Sequence, residues 1–172
     1  LYFIQSLDPE STAYNMPRIV ALGPNVNIEK LEQAAMQLMD RHEILRTSFH
    51  LAGEEPVQKV HPAGTLNLQW QEETFDEPVE DFSRIIDQFV HPFNLSEAPL
   101  LRVKFIRTPG NRFFMLMDMH HVISDGTSQD IMEKEFIALL SGESLPPLGI
   151  QYKDYSVWLD RPEQKELIAS QE

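Results

Sequence analysis

The sequence contains no cysteine. This absence excludes a disulfide scaffold, a CxxC zinc site, a thiol nucleophile and a redox dithiol. A chain without cysteine is compatible with a reducing compartment, and a cytoplasmic location is the expectation. The chain also lacks any apolar run of the roughly 18 residues that a membrane-spanning helix requires, so no membrane segment is predicted.

Basic residues are scarce, since 14 Lys and Arg stand against 27 Asp and Glu, which gives a net charge of −13. A chain this acidic is a poor candidate for binding nucleic acid or an anionic membrane surface. No GxGxxG or Walker A loop is present, and no GxSxG surrounds Ser124, which argues against nucleotide binding and a serine hydrolase. The segment 42–46 reads HEILR, with Arg46 where a zincin has its second histidine, so no metal site is predicted.

The 172 residues, 42% of them hydrophobic, are enough for one domain with its own core. Apolar residues alternate in some segments and recur at helical spacing in others, which predicts the order β-α-β-β-β-α-β-β-α. The predicted strands cover 17–22, 45–51, 57–61, 66–70, 101–105 and 113–117, and the predicted helices cover 28–41, 78–90 and 128–140. The fold class is therefore α/β, an α+β sandwich in which helices pack on one mostly antiparallel or mixed sheet.

The segment 119–126, which reads MHHVISDG, follows a strand predicted to be buried on both faces and leads through a turn into a helix. Neighbouring residues on a strand point to opposite faces, so His120 and His121 are expected to have different roles. Asp125 can return to the same neighbourhood across the turn, and Gly126 permits close approach of a ligand. The alternative is a structural histidine pair followed by an aspartate that caps the helix.

A second polar cluster, Arg41 to Thr47, lies between the first helix and the next strand. Arg41 and Arg46 can reach Asp125 or a bound anion, since a guanidinium binds carboxylate and phosphate in a bidentate manner. The alternative is a solvated helix end at which cations are favourable.

These segments together resemble the condensation domains of nonribosomal peptide synthetases. The segment 120–126 resembles their HHxxxDG signature, and 41–49 matches the RHExLRTxF pattern at every specified position. The segment 152–158 resembles YxDYAVW, with Ser156 in place of alanine. The segment 93–102 resembles FDLSxAPLLR, with Asn94 in place of aspartate, and 1–3 resembles the end of the opening motif.

The resemblance implies a fold similar to chloramphenicol acetyltransferase, in which two lobes form a V with a tunnel between them. Residues 1–172 are then expected to be the N-terminal lobe, with the C-terminal lobe absent. The implied reaction is amide formation between a donor thioester and the α-amine of an acceptor thioester. No cofactor is expected to bind directly, because both substrates arrive on the 4′-phosphopantetheine arms of donor and acceptor peptidyl carrier proteins. The other implied partners are the missing lobe and an adjacent adenylation domain.

The resemblance also implies the roles of the site residues. His121 is expected to face the tunnel as general base or as a positioning group for the amine, and His120 to point inward. Asp125 is expected to be buried and paired with Arg41 or Arg46. The Gly126 amide is a candidate contact to the thioester, Ser124 belongs to the supporting loop, and Trp158 is expected to pack. The SDG form resembles domains that join an L-configured donor to an L acceptor.

Two other functions remain open at this point. One is a standalone HxxxD acyltransferase of the same superfamily that uses coenzyme A. The other is a lobe that docks carrier proteins without catalysis. Because a cleft between two lobes is incomplete in one of them, the chain alone is expected to be inactive.

Overall fold

Six strands form two separate sheets in the computed structural model, which describes residues 1–170. The strands are β1 (Arg18–Leu22), β2 (Thr47–Ala52), β3 (Glu55–Val60), β4 (Gln69–Thr74), β5 (Leu101–Thr108) and β6 (Arg112–Met119). The helices are α1 (Tyr2–Leu7), α2 (Ile28–Arg41), α3 (Ser83–Phe89), α4 (Gly126–Leu140), α5 (Tyr152–Leu159) and α6 (Pro162–Ala169), and a short 3-10 helix spans Glu43–Arg46. Among residues 1–170, no helix has both the length and the apolar content to cross a membrane.

The main sheet has the strand order β1-β6-β5-β4. The β1–β6 and β6–β5 pairs are antiparallel and the β4–β5 pair is parallel, which confirms the prediction of a mixed sheet. The prediction of a single sheet is wrong, because β2 and β3 form a separate antiparallel hairpin. The amide of Phe49 on β2 donates to the carbonyl of Leu95, so a loop and not a strand of the main sheet contacts β2 there.

Helices cover both faces of the main sheet. On one face, Leu31 of α2 packs with Val103 and Met115. On the other face, Ile85 and Phe89 of α3 pack with Ile106 and Leu116. An inner strand covered on both sides explains the unbroken apolar run of β6.

Helix boundaries agree with the sequence where local capping is strong. Asn27 caps α2 by accepting from the amide of Lys30 at 2.9 Å, as predicted. The prediction that the next helix begins at Pro78 is wrong, since α3 begins at Ser83, whose amide donates to Asp81. The predicted strand at 66–70 is also displaced, because β4 covers Gln69–Thr74. Helices α1, α5 and α6 were not predicted.

Candidate active site at the end of strand β6

The candidate site begins where β6 ends and the chain turns into α4. His120 follows the last residue of β6 and is fully buried. Its amide donates to the carbonyl of Leu100, while the amide of the exposed His121 donates to the carbonyl of Tyr14. The first histidine is thus buried and the second exposed, as expected of neighbours that point to opposite faces of a strand.

Hydrogen bonds define the tautomer of His120. Its Nδ1 accepts from the amide of Val122 at 3.0 Å, so the proton of the neutral ring is on Nε2. That Nε2–H donates to Oε1 of the buried Gln5 at 3.3 Å. Burial, followed by the charge of neighbouring His121, lowers the pKa of His120 to about 4. His120 is therefore neutral near pH 7 and holds the loop without reaching solvent.

His121 lines an open pocket of about 340 Å³. Its lining also includes the loop from Val122 to Asp125, the first turns of α4, and His42. The segment before α5 contributes Ile150, and the first residue of that helix, Tyr152, also lines the pocket. An exposed imidazole in the lining of a largely apolar pocket is suited to accept a hydrogen bond or a proton from a bound substrate.

The prediction that Asp125 is buried and paired with an arginine is wrong. Asp125 is exposed and is the N-cap of α4. Its Oδ1 accepts from the amide of Ser128 at 2.8 Å and from the Ser128 hydroxyl at 2.6 Å. These bonds, the hydroxyl first, hold the pKa of Asp125 below its usual value. Its role in the structure is to begin the helix that follows the histidines.

Arg41 instead binds Glu135 of α4. Its Nε and one terminal nitrogen donate to the two carboxylate oxygens at 2.9 Å and 3.0 Å. His42 contacts the same carboxylate, with Nε2 2.6 Å from Oε2. Burial raises the pKa of Glu135, but the hydrogen bonds from Arg41 and His42 outweigh it and hold that pKa below its usual value. The cluster fastens the end of α2 to the middle of α4.

Arg46, the other candidate partner, also lies away from Asp125. It donates to the carbonyl of His61 and lies 3.5 Å from the carboxylate of Glu43. It therefore joins the 3-10 helix to the end of the hairpin. Sequence reasoning identified both arginines as polar anchors but assigned them the wrong partner.

The buried carboxylate near the site is Asp118, which sequence reasoning missed. It lies opposite Arg102 in the β5–β6 register, with Nε of Arg102 3.6 Å from its Oδ2. The side-chain amide of Asn15 donates to the same oxygen at 2.7 Å. Full burial raises the pKa of Asp118 despite these partners. A charged residue within the apolar run of β6 was the available signal, since buried charges require partners.

Three other predicted residues have modest roles. Gly126 is exposed at the start of α4 without a positive φ, and a Cβ there would meet no atom within 4 Å. Neither backbone conformation nor the packing of the described residues therefore requires a glycine at this position. Ser124 is buried, and its hydroxyl donates a long hydrogen bond to the carbonyl of Asp125 at 3.4 Å. Trp158 is 41% exposed and stacks on Tyr155, so it is less packed than expected.

Comparison with known proteins identifies the family. A model described as "Condensation domain" matches residues 1–172, the whole chain. The chain belongs to the condensation-domain family. It is 44% identical to Gramicidin S synthase 2 of Brevibacillus brevis and 38% identical to Surfactin synthase subunit 1 of Bacillus subtilis (strain 168), both over all 172 residues. It spans only 4% and 5% of the lengths of those two relatives.

Solved structures confirm the condensation-domain fold. The first condensation domain of the CDA synthetase is similar with a TM-score of 0.72 and 19% identity, over 87% of this chain and 39% of that one. The epimerization domain from the third module of tyrocidine synthetase B is similar with a TM-score of 0.77 and 18% identity, over 92% and 38% of the two chains. At these identities the likeness establishes the fold alone.

Proposed function

We propose that this chain is the histidine-bearing N-terminal lobe of a condensation domain that forms amide bonds during nonribosomal peptide synthesis. The observation that carries the proposal is the contrast between the two histidines. His120 is buried, neutral and hydrogen-bonded on both ring nitrogens, whereas His121 is exposed and lines the pocket. One histidine is thus a fixed support and the other is available to a substrate.

The proposed reaction joins two thioesters carried on phosphopantetheine arms. The acceptor's α-amine attacks the donor's thioester carbon, so a C–N bond forms and the C–S bond breaks. The amine loses one proton and the departing thiolate gains one, which leaves the chain unchanged. No redox partner is needed.

His121 contributes either as general base or as a positioning group. A free α-amine has a pKa of roughly 7.7–8.0, and attachment of its carboxyl to a thioester lowers that pKa further. Much of the amine is then already neutral near pH 7. Accepting its hydrogen bond, and relieving positive charge as the tetrahedral species forms, is a sufficient role for a neutral imidazole.

The loop from Val122 to Gly126 supports His121. Since Asp125 caps α4, the capping bonds determine where that helix starts and therefore how the loop leaves β6. The backbone amide of Gly126, an exposed residue, is the proposed contact to the thioester region. The open side of the pocket is where a second lobe is proposed to close the tunnel, with donor and acceptor carrier proteins at its two ends and an adenylation domain as neighbour.

The test is condensation by the complete protein that carries this chain, with both carrier proteins loaded. His121→Ala is expected to lower the rate at least a hundredfold, consistent with the usual contribution of a positioned acid or base. His91→Ala is the matched control, because His91 is also exposed but lies outside the pocket. A His121→Ala rate within threefold of wild type contradicts the proposal.

The pH dependence of the remaining activity separates the two roles of His121. If His121 is the base, the ionisation that limits kcat/KM at low pH disappears in His121→Ala. If it positions the amine, that ionisation belongs to the substrate and stays. The 172 residues alone are expected to give no product, and product from them would contradict the assignment of the second lobe.

A further inference from the structure

A partly open cavity of about 240 Å³ lies between the main sheet and helices α2 and α4. Helices α2 and α4 form one side and strands β1, β5 and β6 form the other. Its lining is almost wholly apolar and includes five of the seven methionines, namely Met16, Met115, Met117, Met119 and Met132. Met36 and Met39 lie outside the lining.

This cavity is separate from the His121 pocket. Helix α4 forms a wall of both, since Ser128 and Ile131 line the pocket whereas Gln129 and Phe136 line the cavity. Met132 is the residue common to the two linings. A group bound in the cavity would therefore lie one side chain away from the histidine site.

The size and the chemistry of the cavity indicate its ligand class. Protein cores are close-packed, and an engineered apolar cavity of roughly 150 Å³ binds benzene or xenon while staying dry. The cavity in this chain is larger. Water in a buried site needs two to four polar partners, and this lining offers few. A hydrocarbon group is the ligand that matches.

The polar residues of the lining, Arg18, Gln129 and Glu133, lie on β1 and α4, and we place the entrance of the cavity between these two elements. Arg18 and Glu133 form an ion pair across it at 3.0 Å, and both side chains are about half exposed. Beside them, the side-chain amide nitrogen of Gln129 donates to the sulfur of Met16 at 3.6 Å. An exposed ion pair contributes little stability, and a methionine side chain adapts readily, so this entrance can widen at small cost.

We propose that this cavity is a binding site for an aliphatic or aromatic hydrocarbon group, whose polar end stays at the Arg18–Glu133 pair. The group has two possible sources with the same chemistry. One source is the acyl chain or side chain of a thioester substrate, and this possibility rests on the proposed function. The other is a free apolar molecule.

Binding is tested with benzene on the complete protein, with ¹³C-labelled methionine methyls as reporters. The methyl signals are assigned by single Met→Leu substitutions. Benzene is expected to shift the five cavity methyls in a saturable manner, by at least fivefold more than those of Met36 and Met39. If no saturable shift occurs up to the solubility limit of benzene, the proposal is wrong.

A filled cavity provides the matched test. Ala35→Phe places a ring into the lining from α2, whereas Ala138→Phe places the same ring on α4 outside the lining. Benzene affinity is expected to fall more than tenfold in Ala35→Phe and to stay within twofold in Ala138→Phe. If Ala35→Phe does not fold, Val20→Phe fills the same space from β1. Undiminished benzene binding by a folded filling variant overturns the site.

Turnover then identifies the source of the group. If the substrate supplies it, Ala35→Phe lowers kcat/KM for an octanoyl donor at least tenfold more than for an acetyl donor. If a free molecule supplies it, both donors are affected equally while benzene binding is lost. Absence of condensation by the wild-type protein would contradict the proposed function, yet it would leave the benzene result unaffected.

Discussion

The Nε2 atom of His120 lies 3.3 Å from Oε1 of Gln5, although the two residues are 115 positions apart in the sequence. Both side chains are buried, at 0% and 3% exposure. The Gln5 amide nitrogen in turn donates to the carbonyl of Ser11 at 3.0 Å. Helix α1 is outside the sheets, yet through this glutamine it supports the strand end that presents His121.

Gln5→Leu should therefore destabilise the domain although it keeps the volume of the side chain. The substitution leaves the Nε2–H group of His120 without its partner, and an unsatisfied buried donor costs about 1–3 kcal/mol. The measurement is the free energy of unfolding of the complete condensation domain in urea. The control is Gln37→Leu on the exposed surface of α2, which should stay within about 0.5 kcal/mol of wild type. Equal losses in the two variants would mean that the Gln5–His120 contact contributes nothing specific.

Stability should decrease with falling pH because of His120. Its pKa is about 4 in the folded protein and 6.5 when unperturbed. Between these two pH values the unfolded chain binds a proton at His120 that the folded chain does not. The contribution of His120 to stability is therefore fully present above pH 6.5 and is lost as the pH falls towards 4. The difference corresponds to about 3 kcal/mol.

His120→Asn removes this titration and keeps an acceptor near the position of Nδ1. The urea-unfolding free energy of the variant should be lower at pH 7 but should change less between pH 6.5 and pH 4.5 than that of wild type. His50→Asn on the hairpin is the control. If wild type and His120→Asn show parallel pH profiles, another group is responsible for the acid sensitivity.

If Asp125 is a helix cap, its substitutions should affect stability differently than they would if it formed a buried ion pair. Asn is as good an N-cap as Asp, so Asp125→Asn should leave stability nearly unchanged, whereas Asp125→Ala should lose about 1 kcal/mol. The pKa of Asp125 is depressed in the folded protein. Its carboxylate therefore stabilises the fold above the unperturbed pKa of about 4, and this stabilisation is lost as the pH falls through the lower folded value. Thermal unfolding of the two variants at pH 7 is the measurement. A large loss in Asp125→Asn would indicate a charge partner such as Arg41.

Patterns that act over a few residues predicted much of this fold. The Asn27 cap, the period of α2, the apolar run of β6 and the turn into α4 depend on contacts within one or two turns of chain. The separation of His120 from His121 followed from strand geometry in the same way. The family resemblance was confirmed because its motifs are local strings of residues.

Pairings between distant segments could not be predicted in this way. The sequence alone does not show which carboxylate Arg41 binds. The packing of α2 against α4 brings it to Glu135. Glu135 did carry a signal, because it lies three residues after buried Met132 and next to Phe136, on an otherwise apolar side of α4. The β5–β6 register, likewise, places Asp118 opposite Arg102.

The cluster around Glu135 should stabilise the domain more than the exposed ion pair on the same helix. Glu135→Ala removes the carboxylate that accepts from Arg41 and contacts His42, although Arg41 still donates to the carbonyl of Pro146. Losing hydrogen bonds to a charged group in a mostly buried setting costs about 1.5–3 kcal/mol. Glu133→Ala breaks the exposed pair with Arg18 and should cost at most about 1 kcal/mol. Urea unfolding of the complete domain compares the two variants at the same helix composition.

Acid should reduce the difference between Glu135→Ala and wild type. Because the pKa of Glu135 is depressed in the folded protein, its contribution to stability is present above the unperturbed value of 4.5 and is lost as the pH falls through the folded value. Glu135→Gln should recover part of the stability at pH 7, because its amide oxygen still accepts a hydrogen bond from Arg41. If Glu133→Ala is as destabilised as Glu135→Ala at pH 7, then the contact between α2 and α4 does not depend on this carboxylate, and the wall of the His121 pocket that includes His42 must be held by apolar packing instead.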